Sequence, residues 1–175
     1  MTLPENLKQY VRDVPGYPQP GIIFRDITPL LANKVVFSEV VDLMSSGWKA
    51  REPDLVAAIE ARGFIPGAAI AIRLGAGFIP IRKLGKLPWK TIGESYQLEY
   101  GNDQLEIHSD AVKPGQRVLI VDDVLATGGT AAAAARLIRK LGGEVIGVQV
   151  LIELAALGGR DRLGGIEVKS EIVYR

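Results

Sequence analysis

The chain of 175 residues contains no cysteine and a single histidine. Disulfides, thiolate zinc sites and thiol catalysis are thereby excluded, and His108 alone cannot build an imidazole metal cluster. His108 reads as a solvated residue at a strand end. Charge of one sign is also lacking, since 21 Lys and Arg against 20 Asp and Glu leave +1. That balance lacks the basic excess of a nucleic-acid-binding chain. No apolar run approaches the roughly 20 residues that span a bilayer. The opening Met1-Thr-Leu-Pro-Glu-Asn6 has neither the basic nor the apolar region of a secretion signal. The expectation is a cytoplasmic protein that engages neither nucleic acid nor membrane. Internal repeats and low-complexity tracts are absent as well. An apolar content of 47% in a chain of this length fits one domain, residues 1–175, with a sizeable core.

What is there reads as alternating strands and helices. Residues 4–13 suggest a short amphipathic helix with Leu7, Tyr10 and Val11 on one side. Residues 14–20, with three prolines, suggest an irregular connector. A brief apolar run, Ile22-Ile-Phe24, leads to Arg25-Asp26, and residues 35–48 show helical periodicity at Phe37, Val40, Val41, Met44 and Trp48. Residues 55–59 read as a strand, residues 63–67 as the opening of a short helix, and residues 69–74 and 78–82 as two further strands around Gly75-Ala-Gly77. Residues 96–100 and 104–108 alternate like an antiparallel hairpin turned by Gly101-Asn-Asp103. Residues 145–152 make another buried strand. This order predicts an α/β fold: a mostly parallel central sheet flanked by helices on both faces, with an antiparallel hairpin appended.

The segment Val118-Leu-Ile-Val-Asp-Asp-Val-Leu-Ala-Thr-Gly-Gly-Thr130 carries the most chemistry. Its first four residues read as a strand buried on both faces, with Asp122 and Asp123 where that strand should emerge. Ala126, Thr127, Gly128, Gly129 and Thr130 form a small-residue loop that opens a helix over residues 131–141, stopped by Gly142-Gly143. The five consecutive alanines from Ala131 read as strong helix formers. A helix start offers unpaired backbone N–H groups and the positive end of the dipole, which suits a phosphate dianion. The two glycines let a ligand approach the backbone, the threonine hydroxyls add donors, and paired carboxylates suit a vicinal diol or a magnesium ion. The segment lacks the Lys of a nucleotide P-loop and the spacing of a dinucleotide turn. Two other stretches face the same way. Glu60-Ala-Arg62-Gly63-Phe64 follows a strand, where an open α/β sheet places its ligand crevice. Arg82-Lys-Leu-Gly-Lys-Leu-Pro88 gathers three cations around a glycine. Taken singly, a surface arginine after a strand is the commoner explanation of the first, and a solvated basic turn accounts for the second equally well.

The Asp-Asp loop resembles the phosphoribosyl-pyrophosphate (PRPP) signature of the type I phosphoribosyltransferases. With Pro20-Gly-Ile-Ile-Phe-Arg-Asp-Ile-Thr28, Glu60-Ala-Arg-Gly-Phe64, the basic run and Tyr96-Gln-Leu-Glu-Tyr-Gly101, the resemblance extends nearly end to end and narrows to the adenine-accepting branch. It implies transfer of the 5-phosphoribosyl group from PRPP to adenine, giving AMP and pyrophosphate in purine salvage, by a homodimer using Mg²⁺ carried mainly by PRPP. It further implies that Asp122 and Asp123 meet the ribose hydroxyls and that Ala126, Thr127, Gly128, Gly129 and Thr130 hold the 5′-phosphate. Arg62, Gly63, Arg82, Lys83 and Lys86 would bind pyrophosphate, some across a dimer interface. Ile23, Phe24 and Arg25 would form the adenine pocket, with Phe24 on the ring and Leu154 on its other face. Glu99, Tyr100 and Arg62 are the implied catalytic residues, Glu99 serving a purine proton. Residues 1–34 become a hood for base recognition and residues 83–108 a flexible flap that shields the reaction from water. Two departures stand out: Ala61 replaces a hydroxyl residue common in relatives, and Pro88-Trp-Lys-Thr-Ile92 differs from the usual form of the flap's hinge. The competing readings are a transferase for hypoxanthine, guanine or xanthine, and a non-catalytic sensor of purine or PRPP. The chain's length and charge leave little for the DNA-binding module that such sensors add.

Overall fold

The structure, a computed structural model, describes residues 3–97 and 102–175. In chain order the elements are β1 (Arg12–Pro15), β2 (Ile23–Asp26), α1 (Thr28–Ala32), α2 (Lys34–Ser46), β3 (Leu55–Ile59), α3 (Phe64–Leu74), β4 (Gly77–Lys83), β5 (Thr91–Gln97), β6 (Asn102–His108), β7 (Arg117–Leu125), α4 (Gly129–Lys140), β8 (Glu144–Leu154) and β9 (Val168–Tyr174). Short 3-10 turns at Leu3–Tyr10, Lys49–Arg51, Ala155–Leu157 and Gly159–Leu163 complete the path.

The apolar run of β7 explains the centre of the fold. Val118, Leu119, Ile120 and Val121 are all fully buried, because β7 lies between β3 and β8 with helices over both sheet faces. Val118 and Ile120 point into one core with α4, while Leu119 and Val121 point into a second core with α2 and α3. The sheet runs β5-β6-β4-β3-β7-β8-β9. From β4 to β9 neighbouring strands are parallel, and the β5–β6 hairpin joins antiparallel along β4. The α/β class, the mostly parallel sheet and the helices on both faces agree with the sequence reading; the antiparallel hairpin is present too, but its first strand begins at Thr91 rather than at residue 96, and Asn102 and Asp103, expected in the turn, belong to β6.

Several elements differ from that reading. Residues 69–74 belong to α3, not to a strand. Their alternation of Ala and Ile imitates period two, but Ile70 is buried against the sheet and Ile72 is 84% exposed on a helix that began at Phe64. Near the N-terminus the helical turn ends at Tyr10, and residues 12–15 pair with β2 as a small separate ribbon. Strand β9 had no apolar signature. It is an edge strand carrying Lys169, Ser170 and Glu171, with Ile172 as its one buried residue. The five alanines of α4 are all buried, because the hairpin and the Gly159–Leu163 turn cover the helix on the sides that the sheet does not. His108 does end β6, but its Nε2 is buried without a partner rather than solvated.

Candidate active site

Strand β7 does not stop at the two aspartates. It stays paired with β8 as far as Leu125, so Asp122 and Asp123 project from ordered backbone on opposite sides of the strand. Residues 126–128 then turn into α4, whose first turn has no side-chain cap. Its leading N–H groups therefore remain available to an anion. Gly128 adopts φ +79°, and a Cβ there would lie 2.2 Å from the Gly159 carbonyl oxygen. A Cβ on Gly159 would in turn lie 2.3 Å from the carbonyl oxygen of Ala126. These glycines are needed for the loop to rest on the Gly159–Leu163 turn, a reason beyond ligand access. A polar cavity of about 370 Å³ borders the start of α4, lined by Ser95, Tyr96, Gly129, Ala132, Arg136 and Arg162. The Tyr96 hydroxyl donates to Asp103 at 3.2 Å and receives the Thr130 hydroxyl. Burial raises the Tyr96 phenol above its ordinary value, so it stays a neutral donor.

The loop after β3 meets the loop of β7 through Arg62 and Gly63. A Cβ on Gly63 would fall 2.5 Å from Ile59 O and 2.8 Å from Asp122 Oδ1, so the β3–α3 turn packs directly on the first aspartate. The Glu60–Ala61 peptide in this turn is cis. Arg62 Nε lies 2.7 Å from Asp123 Oδ2. The pairing is one of charge rather than of an aligned hydrogen bond, and Asp123 Oδ2 and Arg62 Nη1 are buried with hydrogen-bonding capacity unused. The Asp122 carboxylate accepts from the Asp123 N–H at 2.8 Å. Burial and, next, the Asp123 charge push Asp122 well above the usual carboxylate range. Two adjacent acids beside an arginine, with Asp123 Oδ2 and Arg62 Nη1 left with capacity to spare, make a polar centre with unfilled partners.

The same arginine reaches strand β2. Its guanidinium lies 4.5 Å from the centre of the Phe24 ring, and Tyr17 packs edge-on to that ring at 5.2 Å. Phe24, Arg62 and Asp123 thus form one contiguous path. Ile23 is 48% exposed beside it on β2. The Arg25 guanidinium turns elsewhere: it stacks on the Tyr174 ring at 3.8 Å and pairs with Asp13. Leu154 closes β8 opposite Tyr174, which ties the β1–β2 ribbon to the end of the sheet.

The cations of the basic run are already paired. Arg82 and Lys86 converge on Glu60, at 2.9 and 3.2 Å, and the Lys83 N–H donates to it at 2.7 Å. Burial opposes the Glu60 charge, but the Lys83 N–H, Arg82 and Lys86 outweigh it and hold the carboxyl below its usual range. Lys83 Nζ lies 2.9 Å from Asp103, the contact that most raises its pKa. Glu60, Tyr96 and Asp103 escaped the sequence reading as site components. Glu60 and Asp103 are far from the basic run in sequence, so no local signal pairs them with it. Glu99 and Tyr100 lie outside the described residues. Among the described residues no group of three or more His, Cys, Asp or Glu converges, and no helix is long and apolar enough to cross a membrane.

A phosphoribosyl transferase domain family model matches residues 27–175. An adenine phosphoribosyltransferase of Thermotoga maritima is 60% identical over 169 residues, covering 97% of this chain and 98% of its own. The crystal structure of the adenine phosphoribosyltransferase from Thermoanaerobacter pseudethanolicus superposes with a TM-score of 0.96 at 50% identity, covering 99% of this chain and 100% of the other. The enzyme from Saccharomyces cerevisiae, complexed with an imino-altritol bisphosphate and adenine, superposes at 0.92 with 35% identity, over 97% and 98% of the two chains. Matched along nearly its whole length by sequence and fold, the chain belongs to the phosphoribosyltransferase family and, within it, to the adenine phosphoribosyltransferases.

Proposed function

We infer that the protein transfers the 5-phosphoribosyl group of PRPP to adenine, releasing AMP and pyrophosphate. The observation that carries this is the convergence of Phe24, Arg62 and the Asp122–Asp123 pair at the head of the uncapped α4 loop. One continuous surface offers a ring contact for a base, carboxylates for a diol and free N–H groups for a phosphate. In the reaction the bond from ribose to pyrophosphate breaks, a bond to an adenine nitrogen forms, and the base gives up one proton. Positive charge grows on the ribose and negative charge on the leaving group, so catalysis rests on positioning and electrostatics.

In this reading Asp122 and Asp123 hold the ribose hydroxyls, and residues 126–130 hold the 5′-phosphate. Phe24 packs on adenine, with Ile23 and Arg25 presenting backbone groups to its edge and Leu154 facing it from β8. Arg62 and Gly63 serve pyrophosphate, aided by Lys83, Arg82 and Lys86 once these exchange Asp103 and Glu60 for phosphate oxygens. Residues 1–34 act as the hood. Residues 83–108 act as the flap, with Glu99 taking the purine proton beside Tyr100. The residues present fit Mg²⁺ arriving with PRPP: Asp122 and Asp123 would supply a minority of its oxygen ligands, since no third acid joins them among the described residues. When bound, Mg²⁺ neutralises charge on the departing pyrophosphate. We place the enzyme in the cytoplasm as a homodimer, a state that sedimentation equilibrium would establish.

Transfer to hypoxanthine, guanine or xanthine, and a purely sensing role, are not favoured, since the relatives described above are adenine enzymes. The direct test is formation of labelled AMP from labelled adenine with PRPP and Mg²⁺. Absence of AMP, or equal turnover of the other purines, would overturn the reading. Replacing both Asp122 and Asp123 by Asn should abolish PRPP binding, and unchanged affinity by calorimetry would refute the diol assignment. Glu99→Leu should lower turnover by about 10²–10³ while leaving PRPP affinity nearly intact. Equal loss of both would remove Glu99 from the chemistry.

A further inference from the structure

The phosphate loop does not stand by itself. Ala126 and Gly128 rest on the backbone of Gly159, where neither chain leaves room for a Cβ. The turn that carries Gly159 has little apolar anchorage of its own beyond Leu163, and Arg160, Asp161 and Arg162 are exposed. It is fixed instead by a fork. Arg160 Nε and Nη2 each donate to Glu153 at 2.7 Å, one to each carboxylate oxygen, and Nη1 donates to the Val168 carbonyl at 2.8 Å. The Ser170 hydroxyl donates to Glu153 Oε2 at 2.6 Å. Glu153 is only 6% exposed and sits opposite Leu125, the last residue of β7 before the loop. One carboxylate therefore ties together the end of β8, the edge strand β9 and the turn beneath the loop. A bidentate, planar contact of this kind sets direction as well as distance, which a lysine cannot reproduce.

We propose that Glu153 and Arg160 are positioning residues for the phosphate loop: they hold Gly159 as its floor and so set the spacing of the N–H groups that receive the 5′-phosphate. This rests on the reading of residues 126–130 as the phosphate site. The fork touches no reacting atom, so its loss should weaken the grip on the phosphate end of PRPP and spare the pyrophosphate end, which belongs to Arg62 and the basic run.

Two variants test this. Arg160→Lys keeps the charge and loses the fork. Gly159→Ala keeps the fork and drives a methyl into the carbonyl of Ala126. Calorimetry with ribose 5-phosphate and, separately, with magnesium pyrophosphate reads the two ends of the site. Both variants should bind ribose 5-phosphate about tenfold more weakly or worse, with pyrophosphate affinity within about twofold of the unsubstituted protein. KM for PRPP should rise by a similar factor, with KM for adenine little changed. Should Arg160→Lys fail to fold, Glu153→Gln, which leaves one oxygen to accept from Arg160 and so breaks the two-point fork, carries the same comparison. Unchanged ribose 5-phosphate affinity in a folded variant, or equal weakening of both ligands, would overturn the proposal. If the unsubstituted protein binds pyrophosphate but not ribose 5-phosphate, the phosphate assignment of the loop falls first, and the positioning role with it.

Discussion

Asp122 shows most directly how the site trades stability for chemistry. Asp122 is half-buried, and desolvation with, next, the Asp123 charge holds its folded-state pKa well above the ordinary value. The folded chain therefore holds that proton more tightly than the unfolded chain. Stability carries no cost from this group below the ordinary carboxylate pKa, falls as pH climbs from there to the raised folded value, and stays at the lower level above it. Asn in its place keeps an oxygen for the Asp123 N–H and removes the charge. Asp122→Asn should therefore be more stable than the unsubstituted protein at pH 8, by about 1 kcal/mol or more in urea unfolding, with the gain shrinking towards pH 4. A gain that grows on acidification would contradict the assigned direction. Much of the site at this scale was legible: acids after a buried strand, glycines at a helix start and an arginine after the neighbouring strand are local patterns. What they are paired with was not. Glu60 with Lys86, Lys83 with Asp103 and Glu153 with Arg160 are contacts between residues that only the fold brings together.

Elements were legible where burial on both faces leaves a continuous apolar run, as in β3, β7 and β8, and illegible where packing overrides pattern. Helix α3 hides behind an Ala-Ile alternation, and β9 has too little apolar surface to announce itself. A subtler case is the β7–β8 register, which shifts between Val118 and Leu119 so that Gly147 comes to lie opposite Leu119. Trp48, beyond the end of α2, is what requires a glycine at this position. A Cβ on Gly147 would fall 2.1 Å from Trp48 Cη2, and that ring is fully buried, with its Nε1 donating to Gln149 at 2.7 Å. The indole cannot retreat without losing a buried hydrogen bond. Gly147→Ala should therefore cost about 1–3 kcal/mol in denaturant unfolding. In a Trp48→Phe background, where the space is already vacated, the same methyl should cost clearly less. Equal costs in the two backgrounds would mean that the indole is not what excludes the side chain.

At the scale of the whole molecule, the β5–β6 hairpin is joined to the sheet along β4 and also packs against α4. Two kinds of contact hold it to α4. Glu94 pairs with Lys140 and Arg136, which together hold its carboxyl below the usual range. Tyr96, Leu105 and Ile107 are buried in the core that α4 shares. The magnitudes decide which dominates. Ion pairs to half-exposed cations contribute about 0.2–1 kcal/mol each, whereas burying a leucine or isoleucine side chain contributes about 1.5–3 kcal/mol. Glu94→Gln should leave the hairpin docked, raising amide exchange along β5 no more than about fivefold, which is the factor equivalent to roughly 1 kcal/mol. Raising the salt concentration should have a similar small effect on the unsubstituted protein, because these charges are screened. Leu105→Ala should act differently: a loss of about 2–5 kcal/mol opens the root of the hairpin and raises exchange in β5 and β6 together. If Glu94→Gln loosened the hairpin as much as Leu105→Ala, anchorage would be electrostatic and the hairpin would detach in salt. The larger effect for Leu105→Ala instead describes a hairpin seated on the core at its root, with the pairs to α4 adding a smaller contribution that salt screens.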